Sequence, residues 1–376
     1  MDAGRIIHTF VIAAMLCSVT AQQTVASGHA QRSNVSPEIG SDRRVTFRLT
    51  APDASRVSVT YASSTSQLVT GAGTTLAMEK TDAGWIAVTA PLAPDIYAYR
   101  FTIDGKTRND PASARFIEEL AGDRTSAFAV PGALWTTTGA PAGDVTRHRY
   151  ESAAIGGTES YCVYTPPAYD PRGSRAYPVL YLLHGMADNE YTWVTSGGVN
   201  VTLDNLIAQG TAPPMVVVMP LGYGGSGAAL TELAPFERAL LEEIIPRVEA
   251  AYRVSRTRDG RAIAGVSMGG SQAIAIGLRH ADTFAWLGSL SGAFGLDAPS
   301  APAGPLLPDR FRSIYLGWGA ADSLAPANRA LAADLRRRGA VVTTEDVPAA
   351  GHVWPLWRKM LADLLPRLFT ARQSST

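Results

Sequence analysis

The chain has 376 residues and carries 33 Lys or Arg against 33 Asp or Glu, so its formal net charge at pH 7 is zero. This balance provides neither a basic surface for nucleic acid nor an acidic tail, which excludes the electrostatic signature of a nucleic-acid-binding protein. Apolar residues make up 46% of the chain, which is ordinary for a globular protein with a sizeable core. The length accommodates roughly two domains.

The segment 1–21 has the organisation of a secretory signal peptide. Arg5 precedes the short apolar run "IIHTFVIAAMLCSV", and the "VTA" that follows offers small residues for cleavage after Ala21. The run is too short to span a membrane comfortably, so we expect no stable membrane insertion and a protein that is secreted or periplasmic. Cys17 leaves a lipid anchor as an alternative, although Leu16 is a poor residue before a lipidated cysteine.

The chain has two cysteines, of which Cys17 leaves with the signal peptide. Cys162 then has no partner, which predicts a mature chain without an internal disulfide or a cysteine metal site. It lies in the alternating run "ESYCVYTPP", so we expect a buried structural thiol rather than a nucleophile. We expect neither a metal nor an organic cofactor.

The next part of the chain has the pattern of a leader followed by a β-domain. Residues 22–40 are small and polar, which predicts a flexible leader. Short alternating runs follow, namely "RVTFRLTAP", "RVSVTYA", "TLAMEKT", "GWIAVTAP" and "IYAYRFTIDG". Their regular spacing predicts an all-β sandwich over residues 41–135, with a tight Asp-Gly turn at "IDGK". The composition of residues 136–144, "TTTGAPAGD", is typical of a linker.

From residue 145 onwards apolar strands alternate with helices. The runs "YPVLYLLHG" and "PPMVVVMP" are typical of strands that are buried on both faces of a parallel sheet. The helix predicted over "FERALLEEIIPRVEAAY" contains Pro246, which is expected to kink or shorten it, and "PANRALAADLRRRG" is expected to end at Gly339. This alternation predicts an α/β-domain with a mostly parallel sheet over residues 145–372.

The motif "GVSMG" places Ser267 between Gly265 and Gly269, after the strand-like "RAIA" and before a run of helix formers. A nucleophile elbow requires small residues two before and two after its serine, because the turn from strand to helix is too sharp for larger side chains. The helix that follows would direct its N-terminal amides at the site, where they stabilise negative charge. We therefore predict Ser267 as a nucleophile; a glycine-rich turn that packs a helix on a strand is the alternative.

A serine nucleophile needs a general base, and in this fold the chain order is serine, acid, histidine. His352 lies in the loop "PAAGHVWPLW" after the last predicted strand, which makes it our candidate base. The candidate acid is Asp322, because it follows the strand "SIYLGWG"; Asp297 and Asp346 are the alternatives. The other histidines of the mature chain are at positions 29, 148, 184 and 280.

The oxyanion that forms during acyl transfer needs two hydrogen-bond donors. The backbone N–H of Met268 follows the nucleophile directly, and the Met186 N–H is the second candidate because Gly185 allows close backbone approach in "LLHGMADNEYTW". His184 is expected to support this loop. Trp193 either lines the substrate pocket or packs in the interior.

Several separated motifs together resemble the secreted esterase-D-like group of α/β-hydrolases, which includes feruloyl, acetylxylan and enterochelin-type esterases. These motifs are "YLLHGMADNEYTW", "GVNVTLDNLIAQGTAPPMVVVMPLGYG", "FERALLEEIIPRVEAAYRV", "AIAGVSMGGSQAIAIGL" and "AAGHVWPLWR", and the resemblance runs from about Tyr161 to Phe369. It implies a triad at Ser267, Asp322 and His352. Ala187 departs from the pattern, since relatives often have a second glycine there.

The N-terminal stretch resembles the early-set, immunoglobulin-like module that precedes many such esterases and is similar to glycogen-binding sandwiches. Trp85, Tyr97 and Tyr99 would be its candidates for stacking on a sugar, with a place in the core as the alternative. The resemblance implies a secreted serine carboxylesterase, a carbohydrate esterase that hydrolyses feruloyl or acetyl esters on a saccharide. An acyltransferase of the mycolyltransferase type and a non-catalytic carbohydrate-binding protein are the alternatives.

Overall fold

The computed structural model describes residues 36–225, 232–292 and 310–370. The predicted signal peptide and most of the predicted leader lie outside the described residues, as do His29 and Asp297. Within the described ranges no helix is long and apolar enough to cross a bilayer.

Two antiparallel sheets form the N-terminal β-region, residues 38–129. Its strands are β1 (Glu38–Ile39), β2 (Val45–Leu49), β3 (Val57–Ala62), β4 (Thr74–Ala77), β5 (Glu79–Thr81), β6 (Gly84–Val88), β7 (Ile96–Ile103), β8 (Lys106–Arg108), β9 (Arg115–Glu118) and β10 (Arg124–Ala129). One sheet has the order β1-β2-β6-β5, and the other has the order β4-β3-β7-β10-β9 with β8 beside β7. The single α-helix described in this region is the short α1 (Thr65–Val69), and a 3-10 turn spans Leu120–Gly122.

Alternation along these strands fills the interior of the β-region with apolar side chains. Phe47, Tyr99 and Phe101 are almost completely buried in one cluster, and their rings lie 5.1 to 6.4 Å apart. The predicted turn is confirmed, because Asp104 and Gly105 both have positive φ between β7 and β8. Strand β1 lies inside the segment predicted as a leader, so ordered structure begins before the predicted boundary at residue 41.

The C-terminal α/β-region, residues 144–368, contains one eight-stranded sheet. Its strands are β11 (Asp144–Ser152), β12 (Gly157–Thr165), β13 (Val179–Leu183), β14 (Val216–Pro220), β15 (Arg261–Val266), β16 (Trp286–Leu290), β17 (Ser313–Gly319) and β18 (Val342–Val347). The spatial order is β11-β12-β14-β13-β15-β16-β17-β18. The pairs from β14 through β18 are parallel, whereas β11–β12 and β12–β14 are antiparallel.

Helices cover both faces of this sheet. They are α2 (Thr192–Thr195), α3 (Val199–Ala208), α4 (Leu233–Arg238), α5 (Ile245–Ala251), α6 (Met268–Arg279), α7 (Ala325–Arg337) and α8 (Trp354–Leu364). Successive residues of β13 point to opposite faces, so Tyr181 joins a cluster with α4 to α7 while Leu182 joins one with α3 and α8. The prediction that the continuous apolar run forms a strand buried on both faces is therefore confirmed for β13.

The helix predicted around Pro246 does not end there. A π-helical segment, Ala239–Ile244, connects α4 to α5, and Pro246 lies in the first turn of α5. A proline has no N–H to donate, and the change of helical type immediately before it accommodates the missing bond. Gly339 follows α7 with a φ of 95°, as expected of a glycine that ends a helix.

Candidate active site

Four loops meet at the carboxyl edge of the parallel strands. The segment after β13 holds Gly185 and Asp188, the one after β15 holds Ser267, and those after β17 and β18 hold Asp322 and His352. Parallel strands bring their carboxyl ends to one edge of a sheet, which is where ligands bind in open α/β folds. Residues far apart in the chain therefore converge here because of the topology.

Ser267 stands at a sharp turn between β15 and α6, with φ 51° and ψ −117°. A β-carbon added to Gly265 would lie 2.4 Å from the Gly269 carbonyl carbon, and one added to Gly269 would lie 2.4 Å from the His184 carbonyl oxygen. Such contacts exclude any side chain, so the two glycines are what allow helix α6 to pack this closely on the sheet. The backbone geometry is that of a nucleophile elbow, and its non-glycine positive φ is strained.

The structure brings Ser267, His352 and Asp322 into one hydrogen-bonded relay. His352 Nδ1 lies 2.7 Å from Asp322 Oδ2, and His352 Nε2 lies 2.9 Å from Ser267 Oγ. Because an ionised carboxylate only accepts hydrogen bonds, Nδ1 carries the hydrogen and Nε2 accepts from the serine hydroxyl. This tautomer is the one that a general base for the hydroxyl requires.

Asp322 is held ionised although its side chain has no exposed surface. Burial acts to raise the pKa of Asp322, but hydrogen bonds from His352 and from the Leu324 N–H outweigh burial and keep that pKa below its ordinary value. Buried Ser291 also acts to lower the pKa of Asp322, and its Oγ accepts the Trp357 indole N–H at 3.1 Å. These partners fix the carboxylate in the orientation that His352 needs.

Of the alternative residues, those within the described ranges have other partners. Asp346 pairs with Arg329, His280 with Glu237, and His148 with Tyr252. Cys162 is completely buried, and burial raises the pKa of its thiol to about 12, which makes it a poor nucleophile.

The loop after β13 lies directly beside the elbow. A β-carbon added to Gly185 would lie 3.6 Å from the Ser267 Cβ, so the backbone before Met186 passes next to the hydroxyl. Met268 is the first residue of α6, and the helix itself provides no acceptor for its N–H. Ala187 has a φ of 66°, a conformation that favours glycine, so alanine at this position introduces local backbone strain.

His184 supports this loop, as expected. Its Nδ1 donates to the Gly185 carbonyl at 2.8 Å, and its Nε2 accepts the Gly222 N–H at 2.9 Å. Burial lowers the pKa of His184 to about 4, so the ring is neutral and can accept that bond.

Trp193 does not line the pocket. It is completely buried, its indole N–H donates to the Leu183 carbonyl at 3.0 Å, and its ring packs edge-on against Trp354. Its apolar face belongs to the core beneath α8, so the pocket alternative is wrong. Trp85, Tyr97 and Tyr99 likewise pack inside the β-region; Trp85 and Tyr99 are buried, and Tyr97 stacks on another ring of the core.

A cavity of about 440 Å³ opens above the relay, and both regions of the chain contribute to its walls. The β-region supplies Ser64, Thr65, Ser66, Val69, Thr70 and Glu119, and the α/β-region supplies Gly185, Met186, Ala187, Asp188, Ser267, His352, Trp354 and Trp357. One side is aromatic, since the rings of Trp354 and Trp357 lie 5.3 Å apart. The other side is mostly hydroxyl and carboxyl groups.

Sequence reasoning missed most of these wall residues. Trp354 and Trp357 are three residues apart at the start of α8, directly after His352, and that spacing could have indicated one helix face beside the base. No local pattern identifies α1 as a cavity wall, because its position depends on the packing of the two regions. Among the described residues, no group of three or more His, Cys, Asp or Glu side chains is arranged to hold a metal ion.

Comparison with known proteins places this site in context. The family model described as "Putative esterase" matches residues 152–368, which is more than half of the chain. An endo-1,4-beta-xylanase/feruloyl esterase from Xylanibacter ruminicola is 28% identical over 347 residues, which cover 89% of this chain and 46% of that protein. The chain thus spans less than half the length of that relative.

Two solved structures share the fold. A ferulic acid esterase from Anaeromyces mucronatus aligns with 64% of this chain and 96% of its own, at 23% identity and a TM-score of 0.56. An enterobactin esterase from Shigella flexneri aligns with 87% of this chain and 92% of its own, at 21% identity and a TM-score of 0.58. Both structures are named as esterases, and the second alignment covers so much of this chain that it includes part of the β-region.

Proposed function

Because this chain belongs to the putative esterase family, we propose that it is an exported serine carboxylesterase that releases feruloyl or acetyl groups from a saccharide through an acyl-enzyme. The observation that carries the proposal is the relay from Asp322 through His352 to Ser267, which ends at a strained elbow on the wall of a cavity. The domain limits remain part of the proposal, with a sandwich over residues 41–135 and a linker over residues 136–144 before a catalytic domain over residues 145–372.

The reaction proceeds in two halves. The Ser267 Oγ attacks the ester carbonyl carbon and passes its proton to His352 Nε2, which gives a tetrahedral oxyanion. Collapse breaks the bond to the alcohol oxygen, which takes the proton from His352 and leaves. Water then attacks the acyl-enzyme, giving a proton to His352, and Ser267 recovers that proton as the acid departs.

The oxyanion is stabilised by the backbone N–H groups of Met268 and Met186 in this proposal. The first lies at the positive end of α6, and the second follows a glycine that approaches Ser267 closely. Asp322 stays ionised and stabilises the imidazolium that forms on His352 in each half-reaction.

The residues that line the cavity are suited to bind an aromatic or acetyl ester on a sugar. Trp354 and Trp357 offer flat apolar faces for an aromatic acyl group, and the hydroxyl-rich segment from α1 offers donors and acceptors for sugar hydroxyls. The relative from Xylanibacter ruminicola, whose name includes feruloyl esterase, supports the same assignment.

A substrate panel tests this function. We expect a feruloylated or acetylated xylo-oligosaccharide to have a higher kcat/KM than the methyl ester of the same acid, since contacts with the remote sugar contribute binding energy to the transition state. Equal values for both, with faster cleavage of long-chain triglycerides, would refute the saccharide assignment and leave the serine mechanism intact. Transfer of the acyl group to an added sugar in preference to water would identify an acyltransferase instead.

We also expect activity to fall above about pH 8, because of Asp188. This half-buried residue lines the cavity, and its Oδ2 accepts the Gly185 N–H at 3.3 Å. Burial raises the pKa of Asp188 to about 8; the Gly185 N–H opposes this shift and the charge of Glu119 adds to it. The carboxyl is therefore neutral at pH 7 and becomes an anion beside the oxyanion loop at higher pH.

The size of this alkaline loss follows from charge repulsion. Two unit charges separated by on the order of 10 Å repel by about 1.7 kcal/mol at an effective dielectric constant of about 20, which corresponds to roughly tenfold in rate. Asp188→Asn keeps the shape without the titration, so its pH–rate profile should stay flat where the wild type declines. If Asp188→Asn loses activity above pH 8 just as the wild type does, the alkaline loss is due to another group.

A further inference from the structure

We propose that Arg358 is a positioning residue that sets the width of the substrate cavity by tying its β-region wall to the helix that follows the catalytic histidine. The inference rests on the proposed esterase function. Arg358 lies on α8, one residue after Trp357, and does not itself line the cavity.

Arg358 is almost completely buried and makes three hydrogen bonds to three separate segments of the chain. Its Nη1 lies 2.6 Å from Asp95 Oδ1, its Nη2 donates to the Ser63 carbonyl at 3.2 Å, and its Nε donates to the Ser196 carbonyl at 2.6 Å. Asp95 and Ser63 belong to the β-region, whereas Ser196 ends helix α2.

Arg358 and two of its partners lie close in the chain to residues that line the cavity. Ser63 immediately precedes the segment 64–70, which contributes most of the β-region wall. Ser196 closes the short helix that follows the loop holding Asp188, and Arg358 shares its own helix with Trp354 and Trp357. One guanidinium therefore ties α8, which carries two wall residues, to a residue beside the β-region wall and to the end of α2.

The acceptor on the β-region side is itself fixed. Asp95 Oδ1 also accepts the Ile96 N–H at 2.9 Å and the Trp135 indole N–H at 2.7 Å. A second arginine joins the two regions from the β-region side, since Arg115 of β9 donates to the Thr195 carbonyl of α2 at 3.1 Å. The neighbouring carbonyls of Thr195 and Ser196 thus each accept a hydrogen bond from an arginine, one from the β-region and one from α8. These two bonds hold the end of α2 in place between the β-region and α8.

Stability alone does not account for a buried guanidinium at this position. Desolvation opposes the burial of a charge, and a well-packed apolar side chain often stabilises such an interface as well as an ion pair does. Burial lowers the pKa of Arg358 to about 10, with Asp95 opposing the shift, so the group remains charged at neutral pH. A rigid planar fork does what an apolar side chain cannot: it fixes several acceptors at defined angles.

The test compares two substrates on the full chain. A feruloylated xylo-oligosaccharide contacts the walls of the cavity, whereas p-nitrophenyl acetate is small enough to need little more than the relay. For Arg358→Met we expect the KM for the oligosaccharide to rise about tenfold, which corresponds to about 1.4 kcal/mol of binding. We expect kcat for p-nitrophenyl acetate to stay within about twofold, per active site titrated with a fluorophosphonate.

Further variants separate positioning from a general loss of folding. Arg358→Lys keeps the charge but not the fork, so it should recover part of the KM. Asp95→Asn should also raise the KM for the oligosaccharide, and it replaces Arg358→Met as the test variant if Arg358→Met does not fold. Arg261→Met is the matched control, because it breaks the Arg261–Glu249 ion pair at the opposite end of strand β15 and should leave the substrate ratio unchanged.

Equal losses on both substrates per titrated site, or no loss on either, would overturn the positioning role. The same would follow if Arg261→Met produced the selective rise in KM. A wild-type protein that fails to hydrolyse p-nitrophenyl acetate would instead refute the esterase function on which the inference rests.

Discussion

The Ser267→Ala variant is expected to lose ester hydrolysis, with kcat lower by on the order of 10⁶. The hydroxyl that His352 Nε2 contacts at 2.9 Å is the nucleophile in the proposed mechanism, and a methyl group cannot form the acyl-enzyme. Rates should be measured with an aryl ester on purified protein, together with labelling by a fluorophosphonate probe, which should fail completely. Alanine carries the same β-carbon at the same backbone angles, so the fold should be unaffected.

Two controls make this result specific. The free energy of unfolding in urea should differ from that of the wild type by less than about 1 kcal/mol, since no buried volume is lost. Ser271→Ala is a matched variant one helical turn further along α6, where the hydroxyl contacts the Ser267 carbonyl and not His352, and it should retain most activity. Near-normal turnover by a pure Ser267→Ala sample would end the serine mechanism.

The Asp322→Asn variant is expected to lower kcat by on the order of 10⁴. An asparagine amide can donate to His352 Nδ1 where the carboxylate only accepts, which favours the tautomer with hydrogen on Nε2. That tautomer cannot take the proton from Ser267. Because Asp322 has a lowered pKa, it stays ionised as the pH falls, so the variant should be impaired at every pH at which the wild type works.

The assignment of Asp322 as the catalytic acid is tested against two other aspartates, Asp346 and Asp297. Asp346→Asn breaks the Arg329 ion pair on β18 and should leave kcat nearly unchanged. His352→Ala should be about as severe as Ser267→Ala, and the losses should not add in the double variant because the residues act as a unit. If Asp297→Asn were crippling and Asp322→Asn harmless, the acid would have been misassigned.

The three residues of the relay could be predicted from the sequence because each lies in a recognisable local pattern. Gly265 and Gly269 flank Ser267 at the two positions where a side chain would collide with the backbone of the sharp turn. Asp322 and His352 each follow a strand of the expected parallel series, and the structure brings both within hydrogen-bond distance of one another and of the elbow. Their catalytic roles remain predictions until the variants are measured.

The cavity was much less predictable, for a physical reason. Asp95 and Arg358 form a buried pair although 263 positions separate them, and neither has a neighbour in sequence that indicates the other. Trp193 illustrates the same limit, because only the packing of α2 decides whether its ring faces the core or the cavity. Local propensity determines elements, whereas the walls of a pocket depend on how those elements pack.

The shared cavity also bears on how proteins of this architecture diversify. A recombination event that exchanged the β-region would bring in a new segment at positions 64–70 and thereby a new preference for the alcohol portion of the ester. A chimera would keep its affinity for the saccharide ester only if the incoming region presented an acidic partner where Asp95 meets Arg358. Exchanges and substitutions in the β-region are therefore expected to change which esters are accepted, even though the relay lies entirely in the α/β-region.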